Sequence, residues 1–216
     1  MANGRYGQKK AEKAEINFCY FCKQRSVDFI KLDSSDGSFK RKKYLVDSNG
    51  KCPDFWCKIN NQEIFIEIKT LVNTTNKARE VRMFNSSRDG AVNRFDVFDP
   101  IPELIGPFEN FLKKAKLKFR NIKKEYNHIP RILVLDGGIN IDRFLCNAIF
   151  LGAYDACSES EIWSLQKKGK GLFDKNGSDV SALVFWNKKE KRFNGISNPR
   201  AKIDFSENNF DLFFGK

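Results

Sequence analysis

The sequence predicts an α/β domain, and three observations carry that reading. Phe108, Phe111, Leu112, Ala115, Phe119, Ile122 and Tyr126 recur at steps of three and four, the stripe of an amphipathic helix. The segment 51–72 has two arms rich in Phe, Trp and Ile around Asn60-Asn61, the chemistry of a hairpin. Arg131 to Leu135, RILVL, is an apolar run directly behind Pro130 and reads as a buried strand.

The elements follow in order. Residues 1–10 are polar and basic and read as loose chain. From Lys10 to Lys23, Ala11, Ala14, Phe18, Phe21 and Cys22 mark a helix with one buried face. Val27 to Leu32 is short and β-prone; Ser34 to Ser38 is turn chemistry, followed by a basic patch at Arg41-Lys42-Lys43. The hairpin arms are KCPDFWCKI and EIFIEIKTLV. Residues 73–100 are polar and read as a long loop with a short helix at most. The helix Phe108 to Tyr126 leads to the strand RILVL, which ends at Asp136-Gly137-Gly138. Ile141 to Ala153 reads as a helix, Gln166 to Gly177 as a basic glycine-bearing loop, Val180 to Trp186 as a strand, and the remainder as irregular.

Composition narrows the function. The 216 residues suffice for one domain with its own core. No run of 18 apolar residues exists, and MANGRYGQKKAEKAE lacks the apolar segment of a signal peptide, so the expected location is the cytosol and no membrane partner is expected. A single histidine, His128, excludes zinc proteases with two histidine ligands and HNH-type nucleases; its place at a helix end suits a cap. Cys19 and Cys22 form C-x-x-C, but Cys52 and Cys57, five apart on a strand, point to opposite faces, so the six cysteines read as reduced, buried thiols rather than a zinc or iron–sulfur site. The 39 Lys+Arg against 27 Asp+Glu leave a net charge of +12, which points to a polyanionic partner.

The chemistry gathers on the hairpin. Glu67 and Lys69 are two apart and share a strand face, while Ile64, Ile66 and Ile68 take the other. Asp54, behind Pro53, begins the neighbouring strand and can point the same way. Two carboxylates from adjacent strands suit one Mg²⁺, and a lysine beside them suits orienting a water or holding phosphate charge.

Pro53-Asp54, twelve residues, then Glu67-Ile68-Lys69 resembles the motif of the PD-(D/E)xK nuclease superfamily. The resemblance covers residues 8–136 and implies a restriction-endonuclease-like core: αβββαβ, with a mixed central sheet flanked by helices. Residues 137–216 would be a C-terminal extension of the same single domain. It implies a metal-dependent endonuclease with Mg²⁺ as cofactor, Mn²⁺ substituting, and Asp54, Glu67 and the Ile68 carbonyl as ligands. Lys69 would orient the attacking water.

The family often adds an acid from the first helix, and Glu15 and Glu12 are both candidates. Glu15 lies about 40° and Glu12 about 100° from Ala11, so phase favours Glu15, while the spacing from Gly7 favours Glu12. The family also tends to carry a Gln or Lys on the helix after the motif hairpin; Lys118, at the edge of the 108–126 stripe, reads as that phosphate contact or as a lysine snorkelling to solvent. Lys113, Lys116, Arg120 and Lys123 read as phosphate contacts or a solvated face. The expected partner is double-stranded DNA, with a homodimer where both strands are cut. The alternatives are a nucleic-acid-binding module of this fold without turnover, and a basic RNA-binding scaffold.

Overall fold

The computed structural model describes residues 2–71, 101–137, 146–155, 165–167, 171–187 and 192–215. The long polar loop expected at 73–100 lies outside them. So do residues 141–145 of the helix expected over 141–153; the described remainder holds a π-helical turn at Asn147–Leu151 and gives way to a strand at Ala153.

Eight strands are described: β1 (Asp28–Lys31), β2 (Phe55–Ile59), β3 (Gln62–Leu71), β4 (Arg131–Gly137), β5 (Ala153–Asp155), β6 (Leu165–Lys167), β7 (Ala182–Asn187) and β8 (Arg192–Ser197). Six of them form one mixed open sheet in the order β1-β2-β3-β4-β7-β8. β1, β2 and β3 pair antiparallel in turn, β3, β4 and β7 are parallel, and β8 returns antiparallel to β7. A separate small ladder pairs β5 with β6.

Alternation decides what each face carries. Ile64, Ile66 and Ile68 of β3, with Val134 of β4 and Val184 of β7, pack under α1 (Ala2–Gln24) through Ala14, Phe18 and Cys22. On the opposite face, Trp56, Phe65, Leu133 and Leu135 pack under α2 (Ser38–Tyr44), α3 (Ile101–Phe119) and α4 (Leu172–Asn176). Phe108, Leu112, Ala115 and Phe119 of α3 are fully buried there. Each fully buried Phe or Leu contributes about 1.5–3 kcal/mol by leaving water. The isoleucine face is completed by Phe213 and Phe214 of α5 (Glu207–Phe214), and Phe21 of α1 meets Phe193 of β8 edge-on at 4.7 Å.

The hairpin turns at Asn60, whose φ of 52° is the left-handed conformation Asn tolerates. Between β3 and β4, which run parallel, lies the crossover that carries α3 on the sheet face opposite α1.

Several elements differ from expectation. The helical stripe over 108–126 is interrupted: α3 ends at Phe119, and Lys124–Tyr126 is a separate 3₁₀ turn. The break falls where Ile122 bridges Leu45 and Val46 N–H donates to the Asn121 carbonyl at 2.8 Å, so the backbone is taken by tertiary pairing. Arg41-Lys42-Lys43 lies within a helix. Gln166 to Gly177 holds part of β6 and all of α4 instead of loop alone, and the stretch after Trp186 holds β8 and α5. Among the described residues no helix is long and apolar enough to cross a membrane.

Candidate functional site

The site is built where β2 begins, beside the middle of β3 and the last turn of α3. The antiparallel ladder between β2 and β3 stops at Phe55 and Ile66. One residue earlier, Asp54 is fastened by its backbone, its carbonyl accepting from Leu32 N–H at 2.9 Å. Its side chain then substitutes for the missing strand: Oδ2 accepts from the Ile68 N–H at 2.7 Å. In a strand a residue's N–H and C=O leave on the same side, so the Ile68 carbonyl faces this acid too. Oδ1 remains for other partners.

Glu67 rises from β3 on the α3 face with its side chain fully buried. Its Oε1 accepts from Lys118 Nζ at 2.8 Å and from Lys69 Nζ. Its Oε2 is buried with no hydrogen-bond partner. Lys118 Nζ also donates to Asp54 Oδ1 at 2.7 Å, so one ammonium spans both carboxylates. Burial, then the nearby Asp54 charge, push the Glu67 pKa up to about 7 against the pull of Lys69 and Lys118. Burial works against the Lys118 ammonium, but the Glu67 and Asp54 charges overcome it and raise its pKa.

The rim is held by α2. The Arg41 guanidinium donates to the Leu32, Ser34 and Ser48 carbonyls, tying the exit of β1 to the segment that leads into Asp54. Gly37 lets the chain pass close beneath: a Cβ there would lie 2.5 Å from the Lys31 carbonyl oxygen. Cys52, half-buried, lies among the charges of Lys118, Asp33, Arg41 and Asp54, and burial raises its thiol pKa.

Asp54, Glu67, Lys69 and Lys118 are thus brought together, with the Ile68 backbone beside them. Glu15 is not. It projects from α1 on the isoleucine face of the sheet and pairs with Lys31 Nζ at 2.6 Å, whereas Asp54 and Glu67 serve the α3 face. Helical phase does turn Glu15 inward, but the sheet lies between it and the acid pair. Glu12 is exposed. His128 is also exposed, with Nδ1 3.1 Å from the Glu125 carbonyl oxygen.

The basic residues of α3 and the turn after it do not form one stripe. Lys113 pairs with Glu109 at 2.9 Å. Arg120 lies 3.5 Å from the buried Asp179, which also holds Lys202 at 2.9 Å. Burial opposes the Asp179 charge, but Lys202, Arg120 and Lys116 together hold its carboxyl below the usual range. Lys123 Nζ donates to the Lys42 carbonyl at 2.9 Å. That hydrogen bond, with Lys123 N–H on the Tyr44 carbonyl, lays residues 42–46 beside 121–124. Lys42 and Lys43 therefore stand next to Lys123 and Lys124, and Lys42, Lys43 and Lys124 are exposed. Lys40 packs on the Trp56 ring, 3.4 Å from its centre. The contiguous run Lys40-Arg41-Lys42-Lys43 is the sequence signal for this surface.

The donor set suits a hard cation. Mg²⁺ takes oxygen ligands, binds through one or two carboxylates and keeps several waters. Asp54 Oδ1 and the unpartnered Glu67 Oε2 meet that need. Among the described residues no three His, Cys, Asp or Glu side chains gather into a group that could hold a metal ion. No family model, curated protein or solved structure matches the chain. Its resemblance to the PD-(D/E)xK motif therefore rests on Asp54, Glu67 and Lys69 alone.

Proposed function

We propose that this protein is a divalent-metal-dependent nuclease of restriction-endonuclease-like fold that hydrolyses phosphodiester bonds, with double-stranded DNA as substrate. The observation that carries the reading is Glu67: a fully buried carboxylate on the face shared with Lys69, beside Asp54, with one oxygen left unpartnered. Lys69 and Lys118 meet its Oε1, but burying Oε2 with no partner is costly, and a bound cation would meet it. The order α1, β1, β2, β3, α3, β4, with α2 inserted after β1, supports the αβββαβ core.

Asp54, Glu67 and the Ile68 carbonyl would hold Mg²⁺ or Mn²⁺. When bound, the ion supplies a polarised phosphate and a more acidic water. The chain's own groups do the rest. Lys69, partly exposed above Glu67, orients the attacking water and balances charge on the phosphate. The Ile68 N–H fixes the Asp54 carboxylate, so Oδ1, its other oxygen, points toward Lys118 and the site.

The test is cleavage of duplex DNA, with RNA in parallel, in Mg²⁺, Mn²⁺ and chelator. The metal-loaded chain should cut. Asp54→Asn and Lys69→Ala should each lose orders of magnitude in rate while still binding. A second reading is favoured by one observation: Lys118 and Lys69 already neutralise the acid pair, as in a binding module without turnover. Bound duplex left intact at saturating metal would favour that reading.

A further inference from the structure

Lys118 is the one cation among the described residues that touches both site carboxylates. Its Nζ is 2.7 Å from Asp54 Oδ1 and 2.8 Å from Glu67 Oε1. Lys69 reaches Glu67 alone. Ala115 and Phe119, fully buried on either side of it along α3, set the phase of the last turn and aim the Lys118 stem along the edge of the packed stripe.

We infer that Lys118 is an internal cation competing with the metal for Asp54 and Glu67, so that metal entry displaces its ammonium and frees it for a phosphate. The inference rests on the metal-dependent reading proposed above and concerns how that site is controlled.

The geometry permits no sharing. A small divalent ion takes carboxylate oxygens at about 2.0–2.1 Å. The ammonium already holds Asp54 Oδ1, the oxygen such an ion would take, and its contact with Glu67 Oε1 seats it in the gap between the two carboxylates. The two states are therefore alternatives. The withdrawn side chain has somewhere to go: Lys118 is a quarter exposed, and its four-carbon stem rotates freely. Outside the pair, the ammonium is without its two carboxylate partners, and a nucleic-acid phosphate is an anion of matching size.

Coupling follows by linkage. If metal frees Lys118 for phosphate, then phosphate that holds Lys118 away must raise metal affinity by the same factor. The acid pair would then be charged with metal most readily when substrate is present. Without substrate Lys118 keeps Asp54 and Glu67 neutralised. This also explains how two acids, one fully buried, persist side by side before any ion binds.

Two measurements test this. In the wild-type chain, amine-reactive labelling of Lys118, read by peptide mass spectrometry, should rise several-fold as Mn²⁺ is added, while Lys113 labelling stays level. Labelling that is flat or falls overturns the displacement. Calorimetric Mn²⁺ titration of Lys118→Met should show at least tenfold tighter binding than wild type, with Lys118→Arg remaining weak. Equal or weaker binding by a folded Lys118→Met protein overturns the competition. If neither wild type nor variant binds Mn²⁺ or Mg²⁺, the metal-dependent function itself falls, and this inference with it. Metal binding that is real but indifferent to Lys118 defeats the inference alone.

Discussion

Asp54 and Lys118 meet at 2.7 Å from opposite ends of the site, one ahead of β2 and the other on the last turn of α3. The same Asp54 carboxylate also accepts the Ile68 N–H. One oxygen thus extends the sheet's hydrogen bonding and the other holds Lys118.

The two roles separate by substitution. Asp54→Asn keeps an oxygen for Ile68 N–H and should leave stability within about 1 kcal/mol of wild type. Asp54→Ala orphans that N–H and should cost about 1–3 kcal/mol. Both should lose cleavage alike. Urea unfolding beside cleavage rates decides it: equal stability of the two variants would mean that the Oδ2 hydrogen bond does not support the sheet.

Glu67 imposes a pH dependence on stability. Its pKa is near 4.5 in the unfolded chain and about 7 in the folded one. Between those values the folded chain holds a proton that the unfolded chain has released. The contribution is complete below about pH 4.5 and is lost as pH rises through 7. Its full size is on the order of 3 kcal/mol. Glu67→Gln should therefore be more stable than wild type at pH 8, with the advantage gone by pH 5. Denaturant midpoints at the two pH values measure this, and a pH-independent difference would contradict it.

Glu15 sits on the far face of the sheet. Glu15→Gln should leave metal affinity and cleavage within about twofold of wild type and change stability by less than about 1 kcal/mol, since Lys31, its partner, is half exposed. A tenfold loss of Mn²⁺ affinity in calorimetry would show that the acid crosses to the pair when the ion arrives.

For the basic surfaces, accessibility divides the residues. Changing Lys42, Lys43 and Lys124 to Ala should weaken duplex binding across sequences. The slope of log affinity against log salt should fall by about 0.9 for each phosphate partner removed. Arg120→Ala should change binding little and stability slightly, because Arg120 is engaged at Asp179. Fluorescence anisotropy over a salt series distinguishes them; the reverse ranking would return the binding face to α3.

The hairpin, the strand RILVL and the helical stripe are readable directly, because each has a strong local pattern that matches its burial. Asp54, Glu67 and Lys69 come with them, since two-residue alternation fixes which side chains share a face. α2 is not legible: its seven residues have one buried side chain, Tyr44, and four consecutive cations hide any period. The position of Glu15 is half legible. Helical phase turns it toward the sheet, but which face of the sheet α1 covers depends on strand pairing far along the chain. The bridge from Lys118 to both acids spans 64 residues in one of its hydrogen bonds, a separation that local pattern does not encode.

The strands of the large sheet lie in the order in which they occur along the chain. No strand is threaded between two that are already paired, so a chain leaving the ribosome can add each to the edge left by its predecessor. Asp54, Glu67, Lys69 and Lys118 all precede β4, and β7 and β8 emerge later. At roughly 5–20 residues per second, the roughly 60 residues from the end of β4 to the end of β8 take about 3–12 s to make. During that interval the apolar run Ile132 to Leu135 would be an open sheet edge beside an acid pair already synthesised. The half-synthesised chain, with that edge uncovered, is the species most prone to aggregate and the one a chaperone would guard.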